Sequence, residues 1–136
     1  MQFVAHNWYL FVALAVVLFM LIGGTIKQVI YGVQHVSNPE AIRLVNHEKA
    51  VVVDVREPDE YRSGHIPNAI SAPLSGLRGS LGQLEKYKSR PIIVCCRTSN
   101  RSARAAVTLR QNQFEHVQVL AGGFVGWQGE NLPVEK

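Results

Sequence analysis

The chain has 136 residues, which leaves room for one domain of about 100 residues and an additional segment. Its formal net charge is +4, but the arginines are scattered rather than arranged in a stripe, so we do not expect a nucleic-acid partner. The two cysteines, Cys95 and Cys96, are adjacent and cannot connect distant parts of a fold through disulfides. Adjacent cysteines also lack the spacing of a zinc site and the histidines are dispersed, so we expect no metal.

The first predicted element is an apolar helix near the amino terminus. Residues 7–26 are almost wholly apolar, and about 20 such residues span a bilayer as a helix. An aromatic pair begins at Trp8, where interfacial aromatic side chains are found, and Lys27 closes the other end. A cleaved signal peptide fits less well, because no basic region precedes the run and no small-x-small cleavage site follows it. We therefore predict a transmembrane helix in residues 1–26 and a juxtamembrane linker in residues 27–36.

The charge distribution predicts how this helix is oriented. No lysine or arginine precedes Lys27, and every basic side chain lies at or after it. Because positive charge accumulates on the cytoplasmic side of membrane proteins, the domain that follows should face the cytoplasm. We expect a single-pass protein of the inner (cytoplasmic) membrane.

The rest of the chain, residues 37–136, alternates predicted helices and strands. Ser37 and Glu40 form a helix-start pattern, and residues 50–55 form an apolar strand interrupted only by Asp54, as in a parallel strand covered on both faces. Further strands are predicted at residues 32–36, 70–72, 92–94 and 117–120, with helices at 38–47, 58–62, 77–87, from 101 or 102 onward, and 124–128. This order predicts an α/β fold, a small parallel β-sheet with helices on both faces that binds its ligand at the carboxyl ends of the strands.

One strand leads into the segment with the clearest chemical character. The apolar run Ile92–Val94 is followed by a short polar segment and then by a predicted helix. The first turn of a helix carries about four unpartnered backbone N–H groups and the positive end of the helix dipole, so anions bind there. A cysteine at this position lies in a field that favours the thiolate, to which Arg97 and Arg101 add positive charge. The pattern indicates a nucleophilic sulfur and an anionic substrate, although Cys95 fits a core position equally well.

Three motifs in order carry a resemblance to a known family. Residues 51–69 contain VVVDVREPDEY and GHIPNA, residues 91–102 read PIIVCCRTSNRS, and residues 122–134 contain GGF, Trp127 and LPV. These motifs resemble the signatures of the rhodanese (thiosulfate sulfurtransferase) family, and the resemblance extends over residues 37–134. It implies a rhodanese-like domain after the transmembrane helix.

The resemblance also implies an activity. The chain would move sulfane sulfur from an anionic donor such as thiosulfate to a thiophilic acceptor, either a small molecule or a protein, through a persulfide on Cys96 and without a cofactor. Asp54 and Arg56 would brace the segment around Cys96 and the neighbouring turn. We call residues 96–102 the cysteine loop; its predicted substrate-binding residues are Arg97, Thr98, Ser99, Asn100, Arg101 and Ser102.

Alternatives remain open at this point. Counting from Cys96 gives Cys-x4-Arg, the rhodanese loop length, whereas counting from Cys95 gives the Cys-x5-Arg loop of the rhodanese-fold phosphatases and arsenate reductases. We favour Cys96, because Val94 stands where the phosphatase-like families have a histidine. A non-catalytic tethered interaction module or sulfur carrier is the other alternative. Ser99 stands where many family members have glycine, which predicts strain if the loop needs a positive φ, and His65 is expected to be structural.

Overall fold

The computed structural model describes the backbone of residues 1–136 and the side chains of all of them except Lys27 and Gln28. The predicted role of the Lys27 side chain therefore lies outside the described residues. The helices are α1 (Gln2–His6), α2 (Trp8–Ile30), α3 (Asn38–Glu48), α4 (Pro58–Ser63), α5 (Leu77–Leu84), α6 (Asn100–Gln111) and α7 (Gly123–Gly129). The strands are β1 (Gln34–Val36), β2 (Val51–Asp54), β3 (Ile70–Ser71), β4 (Ile92–Cys95) and β5 (Val117–Leu120).

The described strands form one five-stranded parallel sheet in the order β1-β5-β4-β2-β3. The two most continuously apolar runs, β2 and β4, lie next to each other at the centre, where strands are covered on both faces. Their register pairs Asp54 with Cys95, so both strands end at the same edge of the sheet. The predicted α/β fold with a small parallel sheet is confirmed.

Two apolar cores lie on the two faces of the sheet. Alternate side chains of a strand point to opposite faces, so Val94 packs with α5 and α6, whereas Ile93 packs with α3 and α7. Beyond β4 the alternation continues: Cys95 belongs to the core with α3 and α7, and Cys96 to the core with α5 and α6. The two thiols therefore lie on opposite faces of the sheet, in different cores.

The apolar helix α2 projects from this domain. Its segment Trp8–Ile26 has a mean hydropathy of 2.5 and is not buried against the domain, so by length and composition it could cross a membrane. The helix continues to Ile30, past the predicted end at residue 26. The strand predicted at residues 32–36 is present as Gln34–Val36, which pairs with β5, and residues 31–33 connect it to α2.

Candidate active site

The Cys96 side chain lies at the start of α6. It follows β4 directly, is fully buried, and accepts a hydrogen bond from the Ser102 backbone N–H at 3.4 Å. Helix α6 begins at Asn100, one or two residues earlier than predicted, so Ser102 is the third residue of its first turn. Amides of the first turn have no partner within the helix and are free to bind an anion. The structure therefore places the Cys96 sulfur at the amino terminus of α6, within hydrogen-bond distance of one of these amides.

Helix α7 holds the backbone of the cysteine loop. The Phe124 N–H donates to the Cys96 carbonyl at 2.8 Å, and the Val125 N–H donates to the Arg97 carbonyl at 3.1 Å. Gly123 has a φ of +59°, and a β-carbon there would lie 2.3 Å from the Thr98 carbonyl oxygen. The loop is thus wrapped against the start of α7 so closely that only glycine fits. The glycine pair is part of the third sequence motif, but its contact with the loop was not predicted.

Asp54 and Arg56 form a buried ion pair beside the loop. The guanidinium of Arg56 donates from Nη2 to Asp54 Oδ2 at 2.7 Å and from Nε to Asp54 Oδ1 at 3.0 Å. The same Nη2 donates to the Gly64 carbonyl at 2.7 Å, and the guanidinium carbon lies 4.0 Å from the centre of the Phe124 ring. The pair therefore connects the end of β2 to the turn at Gly64 and to the helix that holds the loop.

The two loop arginines differ in their surroundings. Arg101 makes a two-pronged ion pair with Glu60, with Nη1 3.0 Å from Oε2 and Nη2 3.3 Å from Oε1. These bonds lower the pKa of Glu60 and raise that of Arg101. Arg97 is exposed and has no ion pair within the part of the chain whose side chains are described. Both arginines were predicted to attract the donor, but the structure leaves Arg97 as the cation whose charge is not compensated by a neighbouring carboxylate.

The remaining residues of the cysteine loop differ in how far they are exposed. Thr98 and Asn100 are exposed, Ser99 is half-buried, and the buried Ser102 hydroxyl has no hydrogen-bond partner among the described side chains. Ser99 has a φ of −171°, which is extended backbone open to any residue. The positive φ that would have strained a serine is absent at this position.

Cys95 lies in a different environment from its neighbour. Its side chain is buried, and its Sγ is 3.5 Å from the Cys96 carbonyl oxygen, to which the thiol donates. Burial raises the pKa of the Cys95 thiol, and the negative charge of Asp54 adds to the increase. A thiol that stays protonated in a core is a poor nucleophile. These observations disfavour the loop that would start at Cys95.

A cleft of about 330 Å³ opens beside the loop. It is lined by Arg56, Glu60, Ser63, Gly64, Arg97, Phe124, Val125 and Gln128. Ser63, Val125 and Gln128 were not predicted to line the site, because only the tertiary fold brings α4 and α7 to the loop. His65 is not among these lining residues: its ring stacks on Tyr61 at 3.8 Å, and its Nδ1 is 2.9 Å from the Tyr61 carbonyl oxygen. Among the described residues no His, Cys, Asp and Glu side chains are grouped so that they could hold a metal ion.

Comparison with known proteins defines the class of this fold. The family model described as rhodanese-like domain matches residues 37–130, and the chain belongs to that family. A crystal structure of a rhodanese-related protein from Thermoplasma volcanium superposes with a TM-score of 0.67 and 31% identity, covering 75% of this chain and 97% of that one. The predicted rhodanese-like fold is therefore confirmed.

Individual relatives extend the comparison to the whole chain. The uncharacterized protein YibN of Escherichia coli (strain K12) is 38% identical over 135 residues, which are 98% of this chain and 94% of that protein. The thiosulfate sulfurtransferase GlpE of Pseudoalteromonas translucida is 35% identical over 95 residues, or 70% of this chain and 89% of that protein. Relatives named sulfurtransferases support a general function of the rhodanese family for this chain.

Proposed function

We propose that the protein is a membrane-anchored sulfurtransferase in which Cys96 carries sulfane sulfur as a persulfide. The observation that carries the proposal is the 3.4 Å contact between the Ser102 backbone N–H and the Cys96 Sγ atom in the first turn of α6. A helix N-terminus stabilises an anionic sulfur, and both the free cysteine thiolate and its persulfide are anions. Membership of the rhodanese-like family supports the same chemistry.

The first half-reaction loads the enzyme. The Cys96 thiolate attacks the outer sulfur of thiosulfate, a new S–S bond forms as the old S–S bond breaks, and sulfite leaves with the electron pair of that bond. The enzyme keeps one negative charge on the terminal sulfur of the persulfide. Amides of the cysteine loop stabilise this charge, and exposed Arg97 attracts the doubly charged donor.

The second half-reaction delivers the sulfur. A thiophilic acceptor such as cyanide or a thiolate attacks the terminal sulfur and releases the Cys96 thiolate, so no external oxidant or reductant is consumed. The cleft beside the loop supplies polar groups from Ser63 and Gln128 and apolar surface from Phe124 for the body of the acceptor. A protein acceptor would present its thiol through the same opening.

Access to the thiol requires the loop to move. Cys96 has no exposed surface, so a donor reaches it only after neighbouring loop residues are displaced. Arg97, Thr98 and Asn100 are exposed and can move without loss of core packing. The bonds from Phe124 and Val125 to the loop carbonyls limit this movement to the outer part of the loop.

Membrane attachment through α2 is the second part of the proposal. The exposed apolar segment Trp8–Ile26 would span the bilayer once, in the inner membrane, with the rhodanese-like domain on the cytoplasmic side. A tethered domain meets membrane-associated partners at a high effective concentration. This attachment favours a protein or small-molecule thiol near the membrane as the acceptor.

The test compares the two cysteines in the full-length protein purified in detergent. Thiosulfate-to-cyanide transfer and the mass increase of one sulfur atom after thiosulfate treatment are measured for wild type, Cys95→Ser and Cys96→Ser. We expect Cys96→Ser alone to abolish both signals. Aryl-phosphate hydrolysis that depends on Cys95 would favour the phosphatase instead. A protein that neither takes up sulfur nor hydrolyses phosphate would be assigned to a non-catalytic module.

A further inference from the structure

We propose that the amino-terminal edge of the sheet lies against anionic lipid headgroups of the bilayer that holds α2. This membrane-facing edge is defined by Lys49, Arg90 and Arg110. The inference rests on the proposed membrane attachment and adds a lipid-binding surface and a fixed orientation of the domain. Its consequence is that the cysteine loop faces away from the membrane.

The chain directly after α2 is held by the domain. Arg110 Nε donates to the Tyr31 carbonyl at 2.9 Å, and its Nη1 donates to the Glu115 carbonyl. Gln111 Nε2 lies 3.4 Å from the Tyr31 hydroxyl, and Val33 packs against the core shared with α5 and α6. Two of the three residues between helix and sheet, Tyr31 and Val33, are therefore held by the domain, and the end of α2 lies beside the carboxyl end of α6.

Several strands of the sheet begin at the edge beside the end of α2. All strands run parallel, so the residues that precede them share one edge of the sheet. Lys49 stands two residues before β2 and Arg90 two residues before β4, and Arg90 Nε donates to the Lys49 carbonyl at 2.7 Å. Helix α6 runs back from the cysteine loop to this edge, where Arg110 lies. Because α6 has 12 residues, the loop is about 18 Å from the edge along the helix.

The membrane-facing edge is positively charged. Lys49, Arg90 and Arg110 are in no ion pair within 4 Å among the described side chains. Of the carboxylates nearby, Glu48 is paired with Arg43 at 3.7 Å, and Glu115 is exposed. Arg43 is also paired with Glu40 at 2.7 Å, so its single charge does not neutralise Glu48. The edge therefore has three cations outside any ion pair against two carboxylates, which leaves it with a net positive charge. Anionic headgroups attract such a surface over about one Debye length, roughly 10 Å at 0.1 M salt. Because α2 spans the bilayer and ends beside this edge, the edge is held near the headgroups.

This orientation restricts the acceptor of the proposed reaction. Since the cysteine loop is at the opposite edge, a thiol dissolved in the aqueous phase or carried on a protein outside the bilayer reaches it directly. A thiol at the depth of the lipid chains does not. The membrane-facing edge thus holds the domain against the bilayer, and the cysteine loop faces the cytoplasmic solution.

The experiment uses the full-length chain in vesicles of phosphatidylcholine with or without phosphatidylglycerol. A fluorescent label is attached to Lys49→Cys or to Arg78→Cys in a Cys95→Ser, Cys96→Ser background, and quenching by nitroxide-headgroup lipid is measured. Arg78 is the matched control because it is an exposed cation in the first turn of α5, which begins on the loop side of the sheet. We expect the label at position 49 to be quenched several-fold more than the label at position 78.

Two further variants test the charge separately from the docking. Lys49→Glu should reduce quenching of a label at Arg90→Cys in vesicles with phosphatidylglycerol, and Arg78→Glu should leave it unchanged. Loss of flotation with the vesicles after alkaline washing would overturn the attachment and this inference together. Flotation with equal quenching at positions 49 and 78 would overturn the oriented edge alone. Quenching that is the same without phosphatidylglycerol would overturn the contact with anionic headgroups.

Discussion

Replacing Gly123 by alanine would place a methyl group among the carbonyls of the cysteine loop. The added β-carbon would lie 2.3 Å from the Thr98 oxygen, 2.6 Å from the Cys96 oxygen and 2.7 Å from the Arg97 oxygen. All three neighbours are backbone atoms, so no side-chain rotation relieves the contact. Either the loop or the start of α7 must move.

The cost has two physical sources. An L-residue in the left-handed region costs about 1–2 kcal/mol relative to glycine, and overpacking a tight site costs about 1–3 kcal/mol more. Gly123→Ala should therefore lower the free energy of unfolding by about 2–5 kcal/mol. Since the contacts fall on the loop, sulfur transfer should be lost even at temperatures where the variant stays folded.

Gly122→Ala is the matched control. Gly122 also has a positive φ, of +76°, but the nearest atom to an added β-carbon is the Gly126 Cα at 3.6 Å, an ordinary contact. Only the conformational cost of about 1–2 kcal/mol should appear, with activity close to wild type. Gly126→Ala meets nothing closer than 3.8 Å and should be neutral or slightly stabilising.

The assay is thermal unfolding of the full-length protein in detergent together with thiosulfate-to-cyanide transfer. For a domain of this size each 1 kcal/mol shifts the midpoint by about 4–8 °C. Equal destabilisation by Gly123→Ala and Gly122→Ala would refute the idea that α7 cradles the loop. So would wild-type activity in a folded Gly123→Ala protein.

Three further changes test the surroundings of the site. Arg56→Leu leaves the buried Asp54 charge without its partner and should cost about 3–5 kcal/mol in chemical unfolding, and a cost below 1 kcal/mol would contradict a buried pair. Glu60 has a pKa held below its usual 4.5 by its arginine partner, so its contribution to stability is present above that pH and lost as the pH falls through the lowered value. Wild type should accordingly lose more stability than Glu60→Gln on acidification below about pH 4.5, and parallel pH profiles would rule this out. In a Cys96→Ser protein, the buried Cys95 should not react with a disulfide reagent at pH 8 until the chain is unfolded, and rapid labelling of the folded protein would show that it is accessible.

The order of elements was predictable because it depends on local patterns. The apolar run at the amino terminus, the continuous apolar strands β2 and β4, and the capping pattern at Ser37 each involve residues close together in the chain. The structure confirms the Ser37 cap, whose hydroxyl accepts from the Glu40 N–H at 3.3 Å. Alternation of strands and helices then leaves few arrangements other than a parallel sheet.

Boundaries were less predictable where tertiary contacts extend or shorten an element. Helix α2 runs four residues past its predicted end, and the strand predicted at residues 32–36 is shortened to Gln34–Val36. The pairing partner of β1 is β5, which lies more than eighty residues later. No local pattern specifies that partner.

Local patterns alone predicted that a cysteine follows a buried strand and precedes a helix. The tertiary structure was needed to show that the Cys96 side chain lies on the face of the sheet covered by α6 and that Arg101 forms an ion pair with Glu60, 41 residues earlier. It was also needed to show that Gly123 packs against the carbonyls of the loop. The physical reason is that strand order and helix packing bring together groups that are distant in the chain. The charge and shape of the site depend on contacts between these groups, which no single segment of the sequence specifies.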